Sequence, residues 1–214
     1  MVLFSYRVRF DHGSAPNPFW GVCTLVICKP RVRRVARAGD WVVGTGSADS
    51  PAGDLSGSVI YAVRVSRTLS MRAYDAWSAG HRGKRPEPGH PDPRRRVGDS
   101  IYDFASAPPR VRPGVHTEAH RGHDLSGRRA LLSDRFVYFG RAAARLPPHL
   151  LGVVKNGPGH RSASNASLAE PFVMWLESLG HPWGSVLAAP SGWPPGTELL
   201  GLGVSGPRRT RRCP

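Results

Sequence analysis

GVCTLVICKPRVRRVARAGDWVVGTGS, residues 21–47, passes from an apolar run into a basic run and back to an apolar one. Residues 21–28 are short and almost wholly apolar, the pattern of a buried strand. Pro30 then stands where the first turn of a helix tolerates a missing N–H, so residues 30–38 are expected to form a short basic helix. Gly39 and Asp40 supply its exit turn. Residues 41–45 resume the strand pattern before a loop containing Gly44, Gly46, Ser47 and Gly53.

Upstream, residues 2–10 (VLFSYRVRF) alternate Tyr6, Val8 and Phe10 against Arg7 and Arg9, which predicts a half-buried strand. Downstream, residues 59–65 (VIYAVRV) are the clearest strand, followed by one or two helical turns at 74–78. Residues 79–97 combine Lys84 with arginines, prolines and glycines and predict a basic surface loop. A brief strand is expected at 101–104, then irregular chain through Gly127, a strand at 130–139 and a helix at 147–154. Residues 168–179 form an amphipathic helix burying Leu168, Phe172, Trp175 and Leu179. One domain is expected over 1–205, with a basic flexible tail at 206–214. Crossovers between parallel strands need about a dozen residues or more, and many short strands with few, short helices make a parallel α/β sheet a poor fit. The class expected is therefore α+β: a small mixed, partly open β-barrel with flanking short helices.

Thirty Lys and Arg against 15 Asp and Glu give a net charge of +15. That excess favours a phosphate-bearing partner, nucleic acid (DNA first) or a free nucleotide; a coding bias towards arginine would give the same excess with no ligand. No apolar run approaches the ~20 residues of a membrane span, and the start of the chain lacks the pattern of a secretory signal, so a cytoplasmic protein is expected. Cys23 and Cys28 lie five apart on one expected strand and point to opposite faces, which with Cys213 makes an odd set ill suited to structural disulfides. Nothing in the sequence fixes an oligomeric state.

Five blocks occur in order: residues 17–47, VIYAVRVSRTLSMRAYD (59–75), GDSIYD (98–103), LLSDRFVYFG (131–140) and GPGHRS (157–162). Together they resemble the nucleotide modification associated domain 2 family over about residues 5–180. The resemblance implies a component of bacterial or phage systems that make, or respond to, modified DNA bases, and implies no particular reaction. The same order of elements is similar to the small barrels of the PUA, ASCH and EVE group, which hold a nucleic-acid element or a flipped base; hence the PUA-like form of the expected barrel.

Candidate chemistry falls in several places. Lys29 and Arg33, at the start of the basic helix, suit a phosphate, with a solvated helix face as the alternative. Thr45 and Ser47 flank Gly46 in a loop where a ligand approaches the backbone. His160 and Arg161 pair a proton exchanger with a bidentate guanidinium. Asp134 and Tyr138 are four apart and share a strand face, so Tyr138 suits stacking on a base and Asp134 proton transfer, although Tyr138 equally suits the core. Trp41 is a further base contact. Asp99 with Tyr102 is a secondary acid–aromatic pair, and Cys28 is either a nucleophile or inert packing.

His116, His120 and His123 precede Asp124 at spacings that suit a metal on a helix, but Gly114, Gly122 and Gly127 argue against a helix and no CxxC or HExxH accompanies them. No metal is expected. With no GxxxxGK(S/T), GxGxxG or GxSxG motif, no cofactor is expected either. Two readings stay open: a module that binds a modified base and its phosphates, and an enzyme on a nucleotide or DNA base with His160 and Asp134 as its acid–base pair.

Overall fold

The computed structural model describes residues 1–197 and Leu199. It opens with β1 (Leu3–Arg7) and β2 (Cys23–Leu25), then α1 (Pro30–Val35) and β3 (Trp41–Thr45) in the predicted order. β4 (Ser58–Arg64) and β5 (Arg67–Ser70) follow. β5 runs straight into α2 (Met71–Ser78), which begins where the Ser70 hydroxyl accepts the Ala73 N–H at 3.1 Å. α3 (Pro93–Arg96), capped by Asp92, precedes β6 (Tyr102–Asp103), β7 (Arg110–Val111) and α4 (Arg121–Leu125). The chain continues through β8 (Arg129–Ser133), β9 (Arg135–Tyr138), β10 (Ala144–Arg145), α5 (Ala169–Ser178) and β11 (Ser185–Val186).

The larger sheet runs β1-β3-β4-β9-β11, with β10 pairing the first residues of β4. β1 is parallel to β3 and β11 to β9, while β4 is antiparallel to both its central neighbours. A second sheet runs β2-β8-β5, and β6 pairs β7. The class is thus α+β, as expected. The strand paths are open, and no pairing among the described residues closes a barrel. No helix among them is long and apolar enough to cross a membrane.

Burial explains the layering. Phe4, Tyr6, Val42, Val63, Phe136 and Tyr138 face the second sheet and α1, meeting Cys23, Leu25, Leu131 and Val32. Leu3, Trp41, Val43, Ala62 and Val137 face the other way, onto Leu150 and Val153 of a 3-10 turn and Phe172 and Leu176 of α5. The far side of the second sheet packs Ile27 and Leu132 on Tyr74 of α2 and Ile101.

Several expectations change for this reason. β1 is covered on both faces and stops at Arg7, so the alternation of residues 2–10 does not describe it, and Phe10 is exposed. The 130–139 run is two strands in different sheets, broken where the Ser133 hydroxyl accepts the Arg135 N–H. The 147–154 segment is a 3-10 turn, Pro148–Val153. α5 buries Leu176, a position outside the predicted stripe. Residues 79–97 are no simple surface loop. Lys84 is buried, its Nζ donating to the Asn17 and Val22 carbonyls and to Asn17 Oδ1 at 2.6–3.0 Å, and burial pushes its pKa down to about 8. Cys23 and Cys28 are free thiols, whereas Cys213 and the 206–214 tail lie outside the described residues.

Arg33 is the deepest departure. Its guanidinium is fully buried and donates to the carbonyls of Cys28 (2.7 Å), Arg129 (2.9 Å) and Asp124. Arg33→Met leaves these buried carbonyls without their donor and is expected to cost roughly 1–3 kcal/mol for each one left unsatisfied. Urea denaturation measures it, and an unchanged midpoint would show that the fold does not use this side chain.

Candidate functional site

Val26 and Ile27 carry the chain from β2 through the interior to Cys28 and Lys29, which take left-handed backbone conformations with φ of 58° and 42°. Each such residue costs roughly 1–2 kcal/mol, so a consecutive pair has to be held in place. Cys28 N–H donates to Asp124 Oδ1 at 2.7 Å, the Cys28 carbonyl accepts from Arg33 Nε at 2.7 Å, and the Lys29 carbonyl accepts the Arg33 N–H at 3.1 Å. The turn brings the Cys28 side chain to the protein surface, partly exposed.

Asp124 reaches this turn from α4. Thr117 and His120 form a reciprocal capping box around the 3-10 turn Glu118–His120, and that turn leads into α4 despite Gly122. Gly127 ends the segment where a β-carbon would overlap the Arg33 guanidinium, so the glycine permits the close approach.

The Asp124 side chain is sealed from solvent and that of His116 is 15 % exposed. Asp124 Oδ2 accepts from Tyr102 Oη at 2.7 Å and lies 2.5 Å from His116 Nδ1; the opposite ring nitrogen, Nε2, lies 3.5 Å from Cys28 Sγ. Sulfur, imidazole and carboxylate thus form one chain, with the His120 ring stacked on His116 at 4.4 Å. Burial opposes the charged imidazole, but hydrogen bonds to Asp124 and Cys28 outweigh it and raise His116 from 6.5 to about 10. Burial likewise pushes the Asp124 carboxyl up, and the bonds from His116, Tyr102 and the Cys28 amide overcome it and hold the group below its ordinary value.

Cys28, His116 and Asp124 are also close enough together to suggest a metal site. The two His116 nitrogens face opposite partners, Asp124 on Nδ1 and Cys28 on Nε2, an order that also suits proton exchange.

Two hollows meet at Cys28 and Lys29. The first, about 470 Å³, is walled by Arg31, Val32, His123, Gly159 and His160. The second, about 380 Å³, is walled by Arg7, Arg9, Phe10, His12, His116 and His120. Burial lowers the Lys29 pKa, and its Nζ lies 4.2 Å from the Tyr6 ring centroid. His160 is also lowered, by burial and then by Arg31 and Lys29.

Of the residues predicted from sequence, Cys28, Lys29 and His160 meet at the first hollow, and Tyr102 joins the carboxylate behind it. Arg161 follows His160 but gives its guanidinium to the Val154 carbonyl and the Ser164 hydroxyl, both at 3.1 Å. The others lie elsewhere. Thr45 is buried with its hydroxyl on the Tyr6 carbonyl, and buried Ser47 accepts the Asp49 N–H. Tyr138 and Trp41 are core residues, Tyr138 donating to Asp11 at 2.5–2.6 Å, so neither offers a face to a base. Asp99 is buried and accepts from Thr24 and Tyr74. Asp134 is exposed on the turn between β8 and β9, where it accepts from Ser66. His160 adjoins Arg161, which bridges to β1. From β1 to β9 is three strand spacings, roughly 14 Å, too far for an acid–base pair between Asp134 and His160.

The sequence reading weighed His116 and Asp124 only as metal ligands. The Thr117–His120 bonds order the turn ahead of α4 in the structure, but Thr-x-x-His is not the Ser/Thr-x-x-Glu/Gln pattern that marks a capping box in sequence.

The family model described as nucleotide modification associated domain 2 matches residues 1–194. No curated protein and no solved structure matches the chain at a significant level.

The raised His116 pKa fixes a pH window. The stability it contributes is complete below about 6.5 and is lost as pH rises through about 10, whereas the Asp124 share is lost on acidification. NMR titration is expected to find the His116 ring still protonated at pH 8; an ordinary titration near 6.5 would contradict the pairing.

Proposed function

The chain belongs to the nucleotide modification associated domain 2 family, and on that footing we propose that it takes up a phosphate-bearing nucleotide, free or within nucleic acid, in the hollow beside Lys29. One observation carries the reading: Lys29, Arg31, His123 and His160 converge on a single hollow of about 470 Å³, within the size range of small-molecule sites. Lys29 and Arg31 supply positive charge for a phosphate, and the lowered pKa of His160 keeps its imidazole neutral, able to donate and accept hydrogen bonds at the edge of a base. Pro30, partly exposed, gives the wall an apolar part that suits the flat face of a base.

A modified base turned out of DNA is the substrate form this reading favours. The net charge of +15 draws the polyanion in, although Arg33 and Lys84 are spent in the interior and add nothing at the surface.

Binding of a nucleoside 5′-monophosphate and of short single-stranded DNAs, with and without modified cytosine, is measured across a salt series. Arg31→Gln is expected to weaken both and to reduce the salt slope for DNA by about 1. Binding indifferent to both salt and Arg31→Gln would remove this hollow as the site.

A further inference from the structure

We propose that Cys28 is a catalytic nucleophile, with His116 exchanging its proton and Asp124 positioning His116, and that it cleaves an amide or ester bond carried on an anionic nucleotide. The three groups stand in the order such chemistry requires. Sγ lies 3.5 Å from Nε2, and Nδ1 lies 2.5 Å from a carboxylate that Tyr102 and the Cys28 amide fix from other directions. The strained turn has the same meaning. Left-handed conformations at both Cys28 and Lys29 persist only because Asp124 and Arg33 hold them, and their effect is to project the sulfur from the end of an interior strand. Cys23, five residues earlier, shows the inert alternative: it is buried in the core, with burial pushing its thiol up to about 12.

The two hollows supply the class of substrate. Cys28 lies on the walls of both, so a bond held over its sulfur has one substituent in each. The first takes the nucleotide, which rests on the reading above. The second, with Arg7, Arg9, His12 and His120, takes the other, polar or anionic, part. With the proton on His116, the Cys28 sulfur adds to the carbonyl carbon, and the π pair moves onto oxygen. As that pair returns, the C–N or C–O bond breaks, and the departing amine or alcohol takes the proton from Nε2. Water then adds to the thioester, passing a proton to Nε2; the C–S bond breaks, and an acid is released with Cys28 and His116 restored. Water is the only co-reactant. Among the described residues, the charged and titratable groups around His116 are Cys28, Asp124 and His120, with Tyr102 and Arg33 beyond Asp124, Lys29 beside Cys28, and Arg7, Arg9 and His12 across the second hollow.

The intact chain is treated with p-nitrophenyl acetate at neutral pH, and acetylation is mapped by peptide mass spectrometry. A burst of nitrophenolate is expected, with the acetyl group on Cys28. It should vanish in Cys28→Ser and slow by about 100-fold or more in His116→Gln. As a check independent of variant folding, Cys28 of the unaltered chain should react faster in the native state than in urea; an equal or slower native rate overturns the proposal, as does undiminished acetylation in His116→Gln. Added nucleoside monophosphate separates the two readings. Slower Cys28 acetylation supports a nucleotide beside the nucleophile, and an unaffected rate removes the nucleotide as substrate while leaving the nucleophile standing.

Discussion

The carboxylate of Asp124 is withdrawn from water, and a buried charge of this kind persists only when its oxygens are fully engaged. The groups that engage it come from three parts of the chain: the Cys28 amide beyond β2, the Tyr102 hydroxyl on β6, and the His116 ring ahead of α4. Arg33 of α1 binds the backbone carbonyl of the same residue. Hydrogen bonds to a charged group contribute roughly 1.5–3 kcal/mol each, enough to offset the roughly 1–2 kcal/mol of each left-handed residue at the turn. The interactions that fasten α4 to the second sheet are therefore the ones that aim His116 at sulfur.

This coupling explains why reactive groups collect at one edge of the molecule. The larger sheet is covered on both faces, its side chains packed against the layers on either side. Interior polar groups of the two sheets, such as Asp11 with Tyr138 and Asp99 with Tyr74, satisfy one another. The hollows form instead where β1 and the β2–α1 turn meet loops from later in the chain, and those loops bring His116, His120, His123 and His160.

Local signals were legible where chain punctuation and burial agree. β3 runs from Trp41 to Thr45 as predicted because Gly39–Asp40 and Gly46 bracket it. β1 departs from the alternation of residues 2–10 because strands covered on both faces lose the period-two pattern. α4 was hidden by Gly122, since its order comes from a capping box and a buried carboxylate rather than an apolar stripe. At the site, Cys28, Lys29 and His160 stand out as polar groups beside strand ends. His116 and Asp124 reach Cys28 across 88 and 96 residues, a tertiary contact that no spacing rule reports. Asp134 and Tyr138 show the opposite failure. Period two puts them on one face and leaves Tyr138 open to a core role, which burial bears out, but it does not reveal that Asp134 ends on a remote turn.

The ordering of His116 by Asp124 is observable in the proton between them. In the ¹⁵N-histidine-labelled chain, a far-downfield proton bonded to His116 Nδ1 is expected in the unaltered protein and in Cys28→Ser, and its loss is expected in Asp124→Asn. Its absence from the unaltered chain, or its survival in Asp124→Asn, would contradict the claim that this carboxylate organises the site.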